Sequence, residues 1–271
     1  MSTRARRFVT LEGYAVEGGF DRAGGPATCY GPTIALGRHD GAGDADDLWR
    51  GYEEVLDFVP ELGFDGVRLG LEWARIEPRQ GHVDDDALAR YGDVIRGVRA
   101  LGLGVSVTLV DAAWPAWLGL EAWLLPWVVP HVIAHARRVA TLVGHEGGVV
   151  AFTRPDALVR RGYLEASAPP WRRGARRDAT FARAQIASIT ALLAADPLVG
   201  PRLVTSSAEV SAATPGGVAA SAPGVDELYV RSLVGGHGPT RAPAGLLERV
   251  NGGWRMTSAV PRARGRRAKS R

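Results

Sequence analysis

An α/β barrel of parallel strands joined by helical crossovers is the fold this sequence predicts, on three observations. Strand-like and helix-like segments alternate at roughly 40-residue spacing, the pattern of a parallel sheet covered by helices. Buried parallel strands read as apolar runs, and residues 103–110 (LGVSVTLV) are such a run. The 271 residues match the roughly 250 that such a barrel uses as one domain. No GxGxxG follows a strand and opens a helix, so a dinucleotide-binding sheet is disfavoured.

Taken in order, residues 8–16 read as a first strand, followed by a Gly-rich loop to about Asp44. Residues 46–62 carry Leu48, Tyr52, Val55, Leu56, Val59 and Leu62 at helical spacing behind an acidic start, and Gly63 stops them. Residues 66–73 (GVRLGLEW) form the second strand. Residues 84–101 are an amphipathic helix opened by three aspartates and closed by Gly102. The third strand is 103–110. A helix at 130–143, a strand at 148–152, a helix at 179–195 and a strand at 202–206 continue the alternation. Beyond Thr205 periodicity fades, and 227–234 is one further strand. Five good strands and one fair one predict a (β/α)8-like barrel, shortened or remodelled after the fifth strand. Its open edges need cover from residues 226–260 or from a second subunit in a homodimer. The expected organisation is a single domain over 1–260 with a basic tail at 261–271.

Composition narrows the function. With 46% hydrophobic residues the chain can build a core. Cys29 is the only cysteine, which excludes a disulfide scaffold. The most apolar stretch, 112–134, is broken by Glu121, Pro115, Pro126 and Pro130, so no membrane span is expected. The N-terminus has basic residues without an apolar run, and the cytoplasm is the expected compartment. The formal charge of +4 comes from the tails. Residues 255–271 carry seven cations and no acid, and Arg4, Arg6 and Arg7 add three, which leaves the body at about −6. No basic stripe interleaved with aromatics lies inside the folded part, so a nucleic-acid partner is not the expected reading. Binding through the tail is the distant third class, and its loss of affinity with salt would distinguish it.

Active sites of such barrels form at the C-terminal strand ends. Those ends offer Glu17, Glu72 with Arg75, Asp111 with Trp114, Arg154 with Asp156, and Ser206, Ser207 and Glu209. Acidic and basic groups converging on one rim suit acid–base chemistry on a polar substrate. Trp73, Trp114 and Trp117 offer stacking faces for sugar rings. Plainer roles stand beside these: a cap for Asp156, an ion pair for Glu72, a core place for Trp123 and Trp127. His131 and His135 share a helix face without a third ligand, so no metal and no cofactor is expected. Cys29 has no activating partner and Ser206-Ser207 lacks the flanks of a nucleophile elbow.

Four segments, in order, resemble the family 1 glycoside hydrolases, the β-glucosidase group. GYAVEGG (13–19) resembles their first-strand motif and VRLGLEWARIEP (67–78) their arginine-containing second strand. VSVTLVDAAWPAWL (105–118) is similar to the third strand, and FTRPDALVRRGYLEASAPP (152–170) to the fourth. The resemblance implies a barrel fold and a pocket-lining Arg68. Departures accompany it. Those enzymes use one carboxylate as nucleophile and a second as acid/base. Here the acid/base Glu falls on Arg154, its preceding Asn on Thr153, the sugar-binding Gln on Ala15, and the His-Trp pair on Asp111 and Ala112. No Glu-Asn-Gly nucleophile context is found. Arginine, with a pKa above about 12, is no proton donor near neutral pH.

Two readings stay open. In one, a rebuilt hydrolase-like site acts on a glycoside or similar polar metabolite, with Asp111, Glu72 and Asp156 catalytic and Glu17, Arg68, Trp114 and Arg154 holding the substrate. In the other, the protein is a pseudo-glycosidase that binds a sugar-like ligand or a protein partner.

Overall fold

The computed structural model describes residues 6–204 and, beyond them, the backbone of strands at 225–230, 246–250 and 253–257. Strands β1 (Arg6–Leu11), β2 (Gly66–Gly70), β3 (Gly104–Val110), β4 (Gly148–Phe152) and β5 (Val225–Val230) form one sheet. Their order is β4-β3-β2-β1-β5 and every pairing is parallel. Strands β6 (Leu246–Val250) and β7 (Gly253–Thr257) make a separate antiparallel pair.

Register explains both faces of the sheet. Thr10 lies beside Arg68, Arg68 beside Ser106, and Gly70 beside Thr108. Side chains alternate along a strand, so Thr10, Arg68, Ser106 and Thr108 share one face, and all four are buried. The intervening Val9, Leu11, Val67, Leu69, Val105 and Val107 join the apolar core. The apolar face meets the helices and the polar face is the inside of the barrel wall.

The crossovers follow their sequence signals closely. Helix α3 (Leu48–Glu61), which follows the short helix α2 (Gly31–Ala35), buries Leu48, Tyr52, Val55, Leu56 and Val59, one stripe at helical spacing. Helix α5 (Asp85–Ala100) is capped by Asp84, whose carboxylate accepts from the Ala87 amide at 2.9 Å. Gly102, at φ +73°, ends it in the left-handed conformation that glycine tolerates. Helices α6 (Val128–Val143) and α8 (Arg176–Ala195) begin two or three residues earlier than the pattern indicated. Among the described residues no single helix is long and apolar enough to cross a membrane.

Three strands differ from expectation. The segment 8–16 leaves the sheet after Leu11 and turns into the one-turn helix α1 (Gly13–Val16). The cause is a backbone crossing: a Cβ on Gly70 would stand 2.5 Å from the Gly13 nitrogen. The segment 66–73 likewise ends at Gly70, and Trp73–Ile76 forms the short helix α4. Residues 202–206 do not begin a strand at Arg202. Gly200–Arg202 is a 3-10 turn, and the Arg202 guanidinium donates to the Gly144 carbonyl at 2.7 Å. Leu203 then makes a single parallel bridge to Val149, and residues 205–224 lie outside the description. The strand expected at 227–234 is β5, starting two residues earlier and paired with β1 along its length. It covers the β1 edge.

The crossing at Gly13 carries a stability prediction. A Cβ there would stand 2.6 Å from the Gly70 carbonyl oxygen and 2.7 Å from Glu72 Cγ. Gly13→Ala is expected to lose about 1–3 kcal/mol in urea unfolding, the usual range for overpacking. A midpoint equal to that of the parent protein would show that the crossing has slack.

Candidate active site

Because β1 ends at Leu11, the first carboxylate at its C-terminal end is Glu12, and β2, β3 and β4 lead to Glu72, Asp111 and Arg154. Glu12 is 3% exposed and its Oε1 accepts from Arg154 Nη2 at 2.7 Å. Asp111 Oδ1 stands 3.5 Å from the same nitrogen. One guanidinium thus joins the ends of β1, β3 and β4. A buried carboxylate is expensive to hold without a partner, and Arg154 supplies that partner for Glu12. Below this rim, Thr153 Oγ1 and Thr108 Oγ1 are 3.3 Å apart, and Arg68 Nε donates to Ser106 Oγ at 3.4 Å. A cleft opens above it, with Asp111, Trp114, Tyr30, Arg154, Arg161 and Pro169 in its walls.

Behind the cleft lies a second, fully enclosed polar cluster. Glu17, with no exposed surface, accepts from Arg75 Nε at 2.7 Å, from the Tyr52 hydroxyl at 2.7 Å and from the Tyr91 hydroxyl at 2.9 Å. Burial pushes its pKa up while Arg75 and the two tyrosines oppose the shift. Both hydroxyls are themselves held protonated by burial, and so remain donors. Tyr91 links this cluster to Glu72, whose backbone N–H donates to its oxygen at 3.1 Å. Glu72 Oε1 accepts from the Tyr14 amide at 2.7 Å, and its Oε2 is buried with no hydrogen-bond partner. Burial, with Glu17 and Asp111 adding repulsion, raises the Glu72 pKa well above the carboxylate range. Burial thus favours the protonated form of Glu72.

The structure separates the residues that the sequence grouped. Asp111, Trp114 and Arg154 meet at the cleft. Arg68 sits deeper, buried against Ser106. Glu72 is enclosed behind the rim and pairs with neither Arg68 nor Arg75 among the bonds described above. Glu17, expected to hold substrate, is instead the centre of a buried ion pair, because the early end of β1 carries it past the rim into the core. Asp156, expected to be catalytic, pairs with Arg183 of α8 at 3.2 Å. It sits in the first turn of the short helix α7 (Pro155–Val159), whereas Arg154 is the non-helical residue that precedes it. The sequence reading missed Glu12, Tyr30 and Arg161. Ser206, Ser207 and Glu209 lie outside the described residues.

The aromatic and histidine assignments also resolve. Trp114 is 1% exposed and donates to the Gly119 carbonyl at 2.9 Å, so it forms wall rather than an open stacking face. Trp123 is buried as expected, whereas Trp127, expected in the core, is 39% exposed beside Trp117 and His131. His135 stacks on Trp73 with centroids 4.6 Å apart, and burial lowers its pKa to about 3. His131 instead faces Gln80 at 3.3 Å, so the two histidines do not converge. Burial keeps the Cys29 thiol protonated. Among the described residues no group of three His, Cys, Asp or Glu is placed to hold a metal ion.

Comparison with known proteins adds to this geometry. No family model matches the chain. Beta-glucosidase 21 of rice (Oryza sativa subsp. japonica) is 28% identical over 167 residues, covering 58% of this chain and 32% of the rice protein. A beta-glucosidase of Agrobacterium sp. is 34% identical over 84 residues, covering 31% of this chain and 18% of its own. The matched region thus spans a third or less of each relative. Among solved structures, the beta-glycosidase from Pyrococcus horikoshii superposes with a TM-score of 0.65 at 22% identity, covering 73% of this chain and 46% of that one. Aphid myrosinase gives 0.66 at 17% identity, covering 74% and 47%. These neighbours have the barrel fold expected from the sequence, and this chain holds a shortened α/β part of it with a parallel sheet. In sequence and fold together, the chain is similar to the β-glucosidases of glycoside hydrolase family 1.

Proposed function

We propose that this glycoside-hydrolase-like protein takes a glycoside or similar polar metabolite into the cleft bounded by Asp111, Trp114 and Arg154, and acts on it without the standard double displacement. One observation carries the reading. Arg154 stands where the resemblance places the acid/base Glu, and it is held there by Glu12 at 2.7 Å. A guanidinium keeps its proton, so protonation of a leaving group cannot come from this position. Asp111 lines the cleft and approaches Arg154 only at 3.5 Å, which leaves its oxygens to accept from a substrate hydroxyl or a water. In this reading Asp111 is the base.

The test is hydrolysis of aryl glycosides over a wide pH range, since an aryl leaving group needs little acid assistance. Turnover by the parent protein is expected, with a loss of about 100-fold or more in Asp111→Asn, the contribution typical of a positioned base. Full activity in a folded Asp111→Asn protein removes Asp111 from the chemistry. A second reading, ligand binding without turnover, is favoured by the same Glu12–Arg154 pair, which fixes Arg154 as a wall group. Silence across the aryl panel together with saturable quenching of tryptophan fluorescence by a methyl glycoside would select it.

A further inference from the structure

We infer that the cleft selects a sugar acid, with Arg161 as the anchor of its carboxylate; this rests on the reading of the cleft as a glycoside site. Arg154, Leu158 and Arg161 all face the cleft. The helical segment that carries them changes at Arg160 into a π-turn running to Leu164. The turn is seated by Gly162, where a Cβ would stand 2.5 Å from the Pro169 carbonyl oxygen. Pro169 is the facing wall of the same cleft, so the turn that lacks a side chain brings Arg161 to the opening.

Three neighbouring arginines are matched by acids. Arg160 pairs with Glu165, Arg172 with Glu121 and Asp178, and Arg154 with Glu12 and Asp111. Arg161 is half-buried in the cleft wall and, among the described residues, no carboxylate lies in ion-pair range of it. A partly desolvated guanidinium gains from an anion, and its planar fork matches a carboxylate with two parallel hydrogen bonds. One unmatched cation suits a single negative charge better than the nearly two of a phosphate monoester. Asp111 on the same cleft contributes the opposite chemistry, accepting from hydroxyls. A hydroxyl acceptor and a carboxylate anchor in one cleft describe a hydroxylated monoanion, a uronic-acid glycoside or its equivalent.

The test compares methyl β-glucoside with methyl β-glucuronide by calorimetric titration of the full chain at low and high salt, with benzoate as a carboxylate lacking hydroxyls. The glucuronide is expected to bind at least about 10-fold tighter than the glucoside at low salt, as one charge-assisted bond provides. That preference should shrink with salt and vanish in Arg161→Gln, while glucoside affinity stays the same. Equal binding of the two glycosides leaves the glycoside reading standing and overturns the role of Arg161. A preference that survives Arg161→Gln overturns it as well. Binding of benzoate with silence from both glycosides refutes the glycoside reading and the sugar-acid inference together, and marks a bare anion site.

Discussion

Arg75→Met is expected to lower the unfolding free energy by about 3–5 kcal/mol, the loss usual when one partner of a buried ion pair is removed. Glu17 has no exposed surface, and Arg75 is its cationic partner at 2.7 Å. Arg75 also donates to the Gly18 carbonyl and lies 4.3 Å from the ring centres of Phe20 and Trp49. Methionine keeps most of that apolar contact and removes the charge, so the change isolates the electrostatic part. Tyr52 and Tyr91 still donate to Glu17, but two neutral donors do not replace a guanidinium in a dry interior. Urea unfolding at pH 7 measures the loss, and Glu17→Gln combined with Arg75→Met should recover part of it, because both charges are then gone. A loss below about 1 kcal/mol in Arg75→Met would show that Glu17 is already protonated in the folded protein, and that the pair is a neutral hydrogen bond.

Why this cluster escaped the sequence reading, while the helices around it did not, is a matter of range. Helix α5 is announced locally: Asp84 caps it, Asp85 and Asp86 suit its dipole, and Gly102 ends it. Strands 66–70, 104–110 and 148–152 are likewise apolar runs bounded by glycine or turn residues. The first strand misled because Tyr14 and Val16 continue an apolar alternation beyond Leu11. What ends β1 is a contact 57 residues away in sequence, the backbone crossing of Gly13 over Gly70. That one early exit places Glu12 on the rim and moves Glu17 into the core. Arg161 was hidden for a related reason. Residues 154–173 hold five arginines, alike in sequence, and only the fold gives Arg160 and Arg172 their acids. Asp156 shows the converse: two residues from Arg154 in the chain, it sits inside the helix that Arg154 precedes and meets Arg183. Spacing therefore revealed the scaffold, and pairing across the fold decided which charged residues reach the cleft.

Pairing also governs the pH response, where Glu72→Gln has its effect. The Glu72 carboxyl is raised well above its ordinary value, first by burial and then by Glu17 and Asp111; the Tyr14 amide and Arg75 oppose the shift. In the unfolded chain Glu72 ionises near pH 4.5, the ordinary value, while burial raises that value in the folded protein. The folded state then binds more protons than the unfolded state, so stability falls as pH rises, by up to about 1.4 kcal/mol per pH unit until the folded group also ionises. Glutamine is neutral at every pH and nearly isosteric. Glu72→Gln should match the parent below about pH 4 and exceed it increasingly above the ordinary carboxylate range. Urea midpoints of both proteins between pH 4 and 8 measure the divergence, and other titrating groups cancel in the difference unless they touch the site. Glu17 is the exception, since Tyr91 connects it to Glu72. The slope that remains in Glu72→Gln should therefore change again when Glu17→Gln is added. Parallel pH curves for the parent and Glu72→Gln would mean that Glu72 is ionised in the fold, and that the unpartnered Oε2 carries a charge the interior somehow matches.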